Sequence, residues 1–135
     1  MNIVKSLINL HKMLPHPEGG YYVEVYKSAN VTQIYYLLKK NQKSHWHRLK
    51  KNEILHFYSG SPLIIYTSKN GEEFETNIIG SKGNFIFIVK KHTWFSMKST
   101  GLYSLIGCTV APAFKFGDLE LAPRDWKPIK FNNGF

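Results

Sequence analysis

The feature that most limits the fold of this chain is a succession of short apolar strands, each followed by glycine, proline or asparagine. Such strands recur at a spacing of about 8 to 12 residues, which predicts an antiparallel sandwich or barrel. Asn70-Gly71 is the dipeptide typical of a tight hairpin. Strands are predicted at 21–27, 32–39, 53–59, 63–68, 74–79, 84–90, 94–98 and 102–110, with a histidine-rich strand before residue 53.

A short helix is predicted before the first strand, within residues 1–14. Pro15 and Pro17 are expected to end it. The segment lacks the small-residue cleavage site of a signal peptide, so we interpret it as part of the folded domain. Its apolar stripe with helical spacing consists of Ile3, Leu7, Leu10 and Leu14.

The size of the chain predicts a single domain over residues 1–135. No apolar run approaches the roughly 18 residues of a membrane span, so no membrane partner is expected. Cys108 is the only cysteine, which excludes an internal disulfide, and its apolar surroundings predict a buried, inert thiol. These features together predict a cytoplasmic protein.

The chain is basic, with a formal net charge of +9. Lysine supplies 16 of the 18 basic residues, and the lysines occur singly or in pairs along the whole chain. Arginine, the better ligand for phosphate, is nearly absent. This pattern favours a charged, solvated surface, and it disfavours nucleic acid as a partner.

The candidate site centres on His45, His47 and Glu53. On a strand, His45 and His47 would share a face because side chains alternate with period 2. The three residues suit a divalent metal such as Zn, Fe, Mn or Ni, with positions left open for substrate. A metal-free hydrogen-bonded cluster, in which Glu53 orients an imidazole, is the alternative. His56 has the opposite parity to Glu53 on the following strand, so we do not count it as a ligand.

Several further residues have two interpretations each. Glu18 either presents a carboxylate near the mouth of a barrel or caps a turn in which Gly19 and Gly20 take positive φ. Arg48 either pairs with Asp118 or Glu120 or clamps an anionic ligand, and the pairing is favoured. Three aromatic residues either line a pocket or pack in the core: Tyr21, Tyr35 and Trp94. Three histidines are interpreted as surface or turn residues: His11, His16 and His92.

The spacing from His45-x-His47 through Glu53 to Gly60 resembles the first motif of the cupin superfamily, with one extra residue before the glutamate. A wider set of segments resembles the cupin-5 (DUF985) family in its order along the chain. These segments are 16–22, 34–38, 44–48, 52–63, 107–114 and 118–122.

The resemblance implies a double-stranded β-helix jelly roll, commonly a homodimer, with a small-molecule ligand inside the barrel. One departure concerns the second cupin motif, whose histidine completes the family's metal site. Here that segment reads Lys90-Lys91-His92-Thr93-Trp94-Phe95, with Phe95 in the place of the histidine.

Two functions follow as hypotheses. The first is a small-molecule enzyme or binding protein whose ligand is carbohydrate-like or otherwise polar, an acidic ligand included. As an enzyme it would be an epimerase or isomerase, with His47 as general base and Glu53 as its partner. The second is a non-catalytic, metal-free ligand-binding protein or structural dimer, which the altered second motif favours. An enzyme should have a pH-dependent rate governed by a group that titrates near neutrality, and a binding protein should not.

Overall fold

The computed structural model describes residues 2–131. One α-helix precedes eleven strands, and a 3-10 turn at Phe116–Asp118 leads into the last strand. The elements are α1 (Ile3–His11), β1 (Leu14–Pro15), β2 (Tyr21–Lys27), β3 (Thr32–Lys39), β4 (His47–Leu49), β5 (Glu53–Gly60), β6 (Leu63–Ser68), β7 (Glu75–Ile79), β8 (Ile86–Val89), β9 (Trp94–Ser99), β10 (Tyr103–Val110) and β11 (Leu119–Leu121).

The strands form two antiparallel sheets. The larger has the order β1-β2-β3-β10-β5-β8, and the smaller has the order β11-β4-β9-β6-β7. The pairs β1-β2, β2-β3 and β6-β7 are consecutive in the chain, whereas other neighbours come from distant parts of it, as when β3 pairs with β10 along its whole length. This all-β jelly roll agrees with the fold class predicted from the strand spacing.

Helix α1 is shorter than predicted and buries a different face. The Asn2 side chain caps it by accepting a hydrogen bond from the Lys5 N–H. It ends at His11 because Lys12 adopts a left-handed conformation with φ 55°, well before the prolines. The predicted stripe is wrong: Ile3 and Leu10 are exposed and Leu14 lies in β1, whereas the helix packs through Val4, Leu7 and Ile8. The predicted start at Met1 lies outside the described residues.

Side-chain alternation on β3 separates two apolar layers. Tyr36 and Leu38 point between the sheets, into the main core with Leu55, Ile65 and Phe95. Leu37 points outward and packs with Val4 and Met13 beneath α1, where Tyr21 and Tyr35 also lie. The fold thus directs one face of β2 and β3 to the barrel interior and the other to the helix.

A third apolar cluster lies outside the smaller sheet. Trp46, Ala122 and Phe131 are its buried members, and Trp94 and Trp126 pack against them. Trp94 and Phe95 are neighbours on β9, so they face opposite sides of that sheet. No helix among residues 2–131 is long and apolar enough to cross a membrane.

Candidate functional site

A cavity of about 390 Å³ opens between the two sheets. Its apolar lining comes from β2, β3, β10 and the segment after β10, and includes Tyr22, Ile34, Val110, Phe114 and Leu119. The polar groups that reach it include the Glu18 and Glu53 carboxyls, the His16 imidazole and the Cys108 thiol. This volume lies within the range of about 300 to 1,000 Å³ that is usual for small-molecule sites.

Glu18 is buried and bonded to His47. Its Oε2 lies 2.8 Å from His47 Nε2, and the His47 side chain is only 1% exposed. The other ring nitrogen, His47 Nδ1, donates to the carbonyl of His45 at 2.6 Å. Both imidazole nitrogens are therefore engaged by protein atoms, and Glu18, not His47, faces the cavity. The carboxylate that contacts His47 is Glu18, whereas the sequence prediction made Glu53 its partner.

Glu18 and His47 stabilise each other's charged forms. Burial has the largest effect on Glu18 and raises its pKa. The charge and hydrogen bond of His47, together with His16 and Tyr36, have the opposite effect and leave the pKa of Glu18 below its usual value. Burial lowers the pKa of His47, but the Glu18 charge and hydrogen bond and the His45 carbonyl leave it raised. Each group therefore favours the charged form of the other.

Glu53, the first residue of β5, is the second acid of the cavity. Burial, followed by the charge of Glu18, raises the pKa of Glu53 to about 7, although the His47 charge and a hydrogen bond with Cys108 oppose the rise. Burial and the neighbouring Glu53 in turn raise the pKa of the Cys108 thiol well above its usual value. Near neutrality, Glu53 is therefore divided between the acid and the carboxylate, whereas Glu18 is ionised.

The hairpin before β2 places Glu18 through close backbone contacts. Gly19 and Gly20 have φ of 101° and 80°, as the turn interpretation required. A Cβ on Gly20 would lie 2.8 Å from the Tyr36 hydroxyl. That hydroxyl donates to the Gly19 carbonyl. The glycines form the predicted turn, whereas the Glu18 side chain lines the cavity and bonds His47 in place of capping the turn.

His16 is a site residue that the sequence interpretation missed. Its Nδ1 accepts a hydrogen bond from the Glu18 N–H at 3.0 Å, and its ring packs edge-on against Tyr22 and Tyr36. Burial lowers the pKa of His16, although the charge of Glu18 opposes the shift. A neutral imidazole therefore fits this wall of the cavity. His16 lies in the turn before β2, as one of its two predicted assignments held, but it is not a surface residue.

His45 and His47 do not share a face. Strand β4 begins at His47, and the chain bends at Trp46, so the period-2 rule does not reach His45. The His45 ring instead bonds the carbonyl of Ala122, with Nε2 2.7 Å from the oxygen. His45 therefore faces a surface depression, where Arg124 lies beside it, and does not line the barrel cavity.

The other predicted ligand-binding residues also lie away from the cavity. Arg48 Nε donates to Glu120 Oε1 at 2.9 Å, across the β4–β11 pair, and its guanidinium lies 4.3 Å from the centre of a Trp94 ring. This is the ion pairing that the sequence favoured for Arg48. Tyr21 and Tyr35 lie on the outer face with the helix. His56, also outward, lies near Thr109, with Nε2 3.4 Å from Oγ1.

Comparison with known proteins identifies the family. The family model described as Cupin superfamily (DUF985) matches residues 5–122 of the chain. The chain belongs to this family. A Shewanella oneidensis protein is 31% identical, with a TM-score of 0.82 over 87% of this chain and 83% of that one. A hypothetical protein from Leishmania major is 25% identical, with a TM-score of 0.82 over 90% and 88%.

Oxalate decarboxylase of Lactobacillus farciminis, solved as a formate complex, is 15% identical and has a TM-score of 0.67 over 81% of this chain and 33% of its own. That likeness concerns the fold alone. None of the curated proteins compared with the chain matches it.

The metal site of the wider cupin superfamily does not fit these residues. Within residues 2–131, no group of three His, Cys, Asp or Glu side chains could hold a metal ion. His45 is turned to Ala122, and the imidazole of His47 is bonded to Glu18. Phe95 pairs with His47 across β4 and β9, and its ring centre lies 4.1 Å from that of the imidazole. This DUF985 member thus has an aromatic ring and an ion pair at that position.

Proposed function

We propose that the cavity binds a small, neutral, carbohydrate-like molecule and moves a proton on it, in an isomerisation or epimerisation. One observation carries the proposal: two carboxyl groups in a single cavity have pKa values displaced in opposite directions, with that of Glu18 lowered and that of Glu53 raised to about 7. Groups whose environments separate their pKa values supply a base and an acid at the same pH.

The residues have distinct roles in this proposal. The Glu18 carboxylate takes a proton from a carbon next to the substrate carbonyl, and Glu53, as the acid, protonates the carbonyl oxygen. An enediol results, Glu18 is protonated and Glu53 is a carboxylate. Glu18 then gives its proton to the former carbonyl carbon while Glu53 takes the proton of the hydroxyl on the first carbon, which gives the isomer. Delivery of the Glu18 proton to the opposite face of the first carbon, while Glu53 recovers the proton from the former carbonyl oxygen, gives the epimer. His47 is a positioning residue, because it holds Glu18 ionised without facing the cavity.

The charge of the cavity selects among ligands. Three acids line the cavity against one lysine, Lys12, and Glu53 adds further negative charge as the pH rises, so an anionic substrate is disfavoured. Tyr22 and Ile34 offer apolar surface opposite the acids' hydrogen-bonding groups. A neutral aldose or ketose fits these properties better than an acidic ligand.

The test is exchange of substrate hydrogen with solvent deuterium. The protein is incubated in D₂O with a panel of neutral aldoses and ketoses, and deuterium at the carbon beside the carbonyl is followed by NMR. We expect exchange with the native protein and its loss in Glu18→Gln and in Glu53→Gln, with Glu120→Gln as an active control, since Glu120 lies outside the cavity. A rate that follows a group with a pKa near 7 supports Glu53, and exchange that survives both substitutions contradicts the proposal.

A second candidate is a binding protein without catalysis. The engagement of both nitrogens of His47 and the covering ring of Phe95 favour it, because they make the cluster rigid. This candidate predicts sugar binding by calorimetry with no deuterium exchange for any member of the panel.

We also propose that the protein forms a homodimer and lies in the cytoplasm, as the sequence predicted. Exposed apolar side chains on β5 and β8, among them Tyr58, Ile86 and Ile88, support a dimer because a second copy would cover them. Light scattering coupled to size-exclusion chromatography tests it, and a mass near 15.6 kDa would contradict it.

A further inference from the structure

A groove outside the barrel carries a concentration of basic and aromatic side chains. We define it by Lys43, His45, Trp46, Arg124, Trp126 and Lys127. It consists of two depressions of about 270 and 460 Å³, and Lys43, His45 and Arg124 line both. Of the residues that line the barrel cavity, only Glu18 also reaches this groove.

The floor of the groove is aromatic and held in place. Trp46 packs edge-on against Trp126, with ring centres 5.8 Å apart, and Trp126 lies 4.8 Å from Trp94. The imidazole of His45 is fixed by its hydrogen bond to the Ala122 carbonyl. Trp46 is only 4% exposed, so the partly exposed Trp126 is the ring of this floor on which a planar ligand stacks.

The walls of the groove are positively charged. Arg124 and Lys127 are exposed and form no ion pair with a carboxylate among residues 2–131. Asp125 also lines the groove, and the Glu18 carboxyl reaches its second depression but is already paired with His47, so the two exposed cations outnumber the acid left to balance them. Arg124 is one of two arginines in the chain, and a guanidinium matches phosphate oxygens with two parallel N–H donors.

We propose that this groove binds a small phosphorylated molecule with a planar ring, of the nucleoside monophosphate class. The phosphate lies against Arg124 and Lys127, and the ring stacks on the tryptophan floor. Glu18 lines both this groove and the barrel cavity, but the residues proposed to hold the phosphate and the ring take no part in the proposed proton transfer.

The structure offers a direct reporter. All three tryptophans of the chain belong to the cluster at this groove, so intrinsic fluorescence reports on it and not on the barrel cavity. Adenosine monophosphate is titrated into the full-length protein, and we expect a saturable change in tryptophan emission. The double variant Arg124→Ala/Lys127→Ala should weaken binding about tenfold or more. Lys82→Ala, which changes an exposed lysine elsewhere, is the matched control.

Four results would overturn the proposal. They are no saturable change with adenosine monophosphate, an equal affinity for inorganic phosphate alone, an undiminished affinity in the double variant, and binding only of long single-stranded DNA with a steep salt dependence, which would indicate a nucleic-acid surface instead. Glu53→Gln should bind adenosine monophosphate with native affinity. A failure of nucleotide binding in the groove is therefore distinguished from a failure of proton transfer in the barrel cavity.

Discussion

The carboxylate of Glu18 and the imidazole of His47 form a buried ion pair with 2.8 Å between Oε2 and Nε2. Glu18 belongs to the hairpin that enters the larger sheet, and His47 begins a strand of the smaller sheet. The pair therefore joins the two layers at the cavity wall. Because both groups are withdrawn from water, loss of either partner leaves a charge or a polar group that the interior cannot solvate.

Glu18→Gln should destabilise the protein by about 1 to 3 kcal/mol near neutral pH. The amide still donates or accepts a hydrogen bond but no longer stabilises an imidazolium, so the pKa of His47 should fall. Urea denaturation measures the first effect, and an NMR titration of the His47 ring measures the second. Glu24→Gln, on the same hairpin arm but exposed, serves as the control. A His47 pKa unchanged in Glu18→Gln would contradict the assignment of the ion pair.

The stability contributed by this pair should be greatest in mildly acidic solution. Its Glu18 part is present above the ordinary pKa of 4.5 and is lost as the pH falls through the lowered native value. Its His47 part is present below the ordinary pKa of 6.5 and is lost as the pH rises through the raised native value. The difference in unfolding free energy between the native protein and Glu18→Gln should therefore peak between these two pH values.

The raised pKa of Glu53 should make the folded protein less stable as the pH rises. Its pKa is about 7 in the folded protein and ordinarily 4.5, so the folded state holds its proton more tightly. The stability from protonated Glu53 is full below pH 4.5 and is lost as the pH rises through 7. Relative to Glu53→Gln, the native protein should lose about 2 to 3 kcal/mol between about pH 5 and pH 8. Parallel stability curves for the two proteins would show that Glu53 titrates normally.

Gly20→Ala should destabilise the Glu18 hairpin by about 1 to 3 kcal/mol. The new Cβ would need φ of 80° and would meet the Tyr36 hydroxyl at 2.8 Å and the Leu37 carbonyl oxygen at 2.9 Å. Gly83→Ala is the matched control, because φ there is 114° but nothing lies within 4 Å. Thermal unfolding of both variants separates the close contact from the backbone strain. Equal losses of stability would show that the approach of Tyr36 is unimportant.

Phe95→His should fail to create a stoichiometric metal site, even though it restores the histidine of the second cupin motif. His47 remains bonded to Glu18, and His45 remains turned to the Ala122 carbonyl. Plasma mass spectrometry after incubation with Zn, Fe, Mn or Ni, followed by dialysis, provides the measurement, with the native protein beside it. One equivalent of metal in the variant alone would mean that a single residue separates this chain from a metal-binding cupin.

The sequence predicted the strands well where the chain alternates regularly. The limits of β2, β3 and β6 agree with the prediction, because apolar residues and turn residues mark both of their ends. The two-residue β1 and three-residue β11 were missed, since pairing with distant strands defines them and they have no local pattern of their own. The helix face was misassigned for a related reason. The layer beneath α1 decides that Val4 and Ile8 pack inward, and the spacing of apolar residues within the helix does not.

Part of the site was also predictable. Glu18, His47 and Glu53 were candidates, and the structure brings their charges together. The expected position of His45 depended on a continuous strand, which the bend at Trp46 interrupts. Parity alone could not say which face of β2 and β3 is internal, so Tyr35 was chosen where Tyr36 faces the core. His16 gave no local signal, although a histidine two residues before a buried glutamate is well placed to accept its N–H.

The cavity wall combines the Glu18 hairpin and β3 with Leu49, Glu53 and residues 108–119. On the ribosome, this hairpin emerges long before β10, which lies between β3 and β5 in the larger sheet. Until β10 is made, the larger sheet stays divided, although most of the smaller sheet has already emerged, and the cavity cannot close before these distant segments meet. A nascent chain halted before Tyr103 should therefore expose the unpaired edges of β3 and β5 and attract chaperones. Closure of the cavity thus waits for one of the latest strands of the chain.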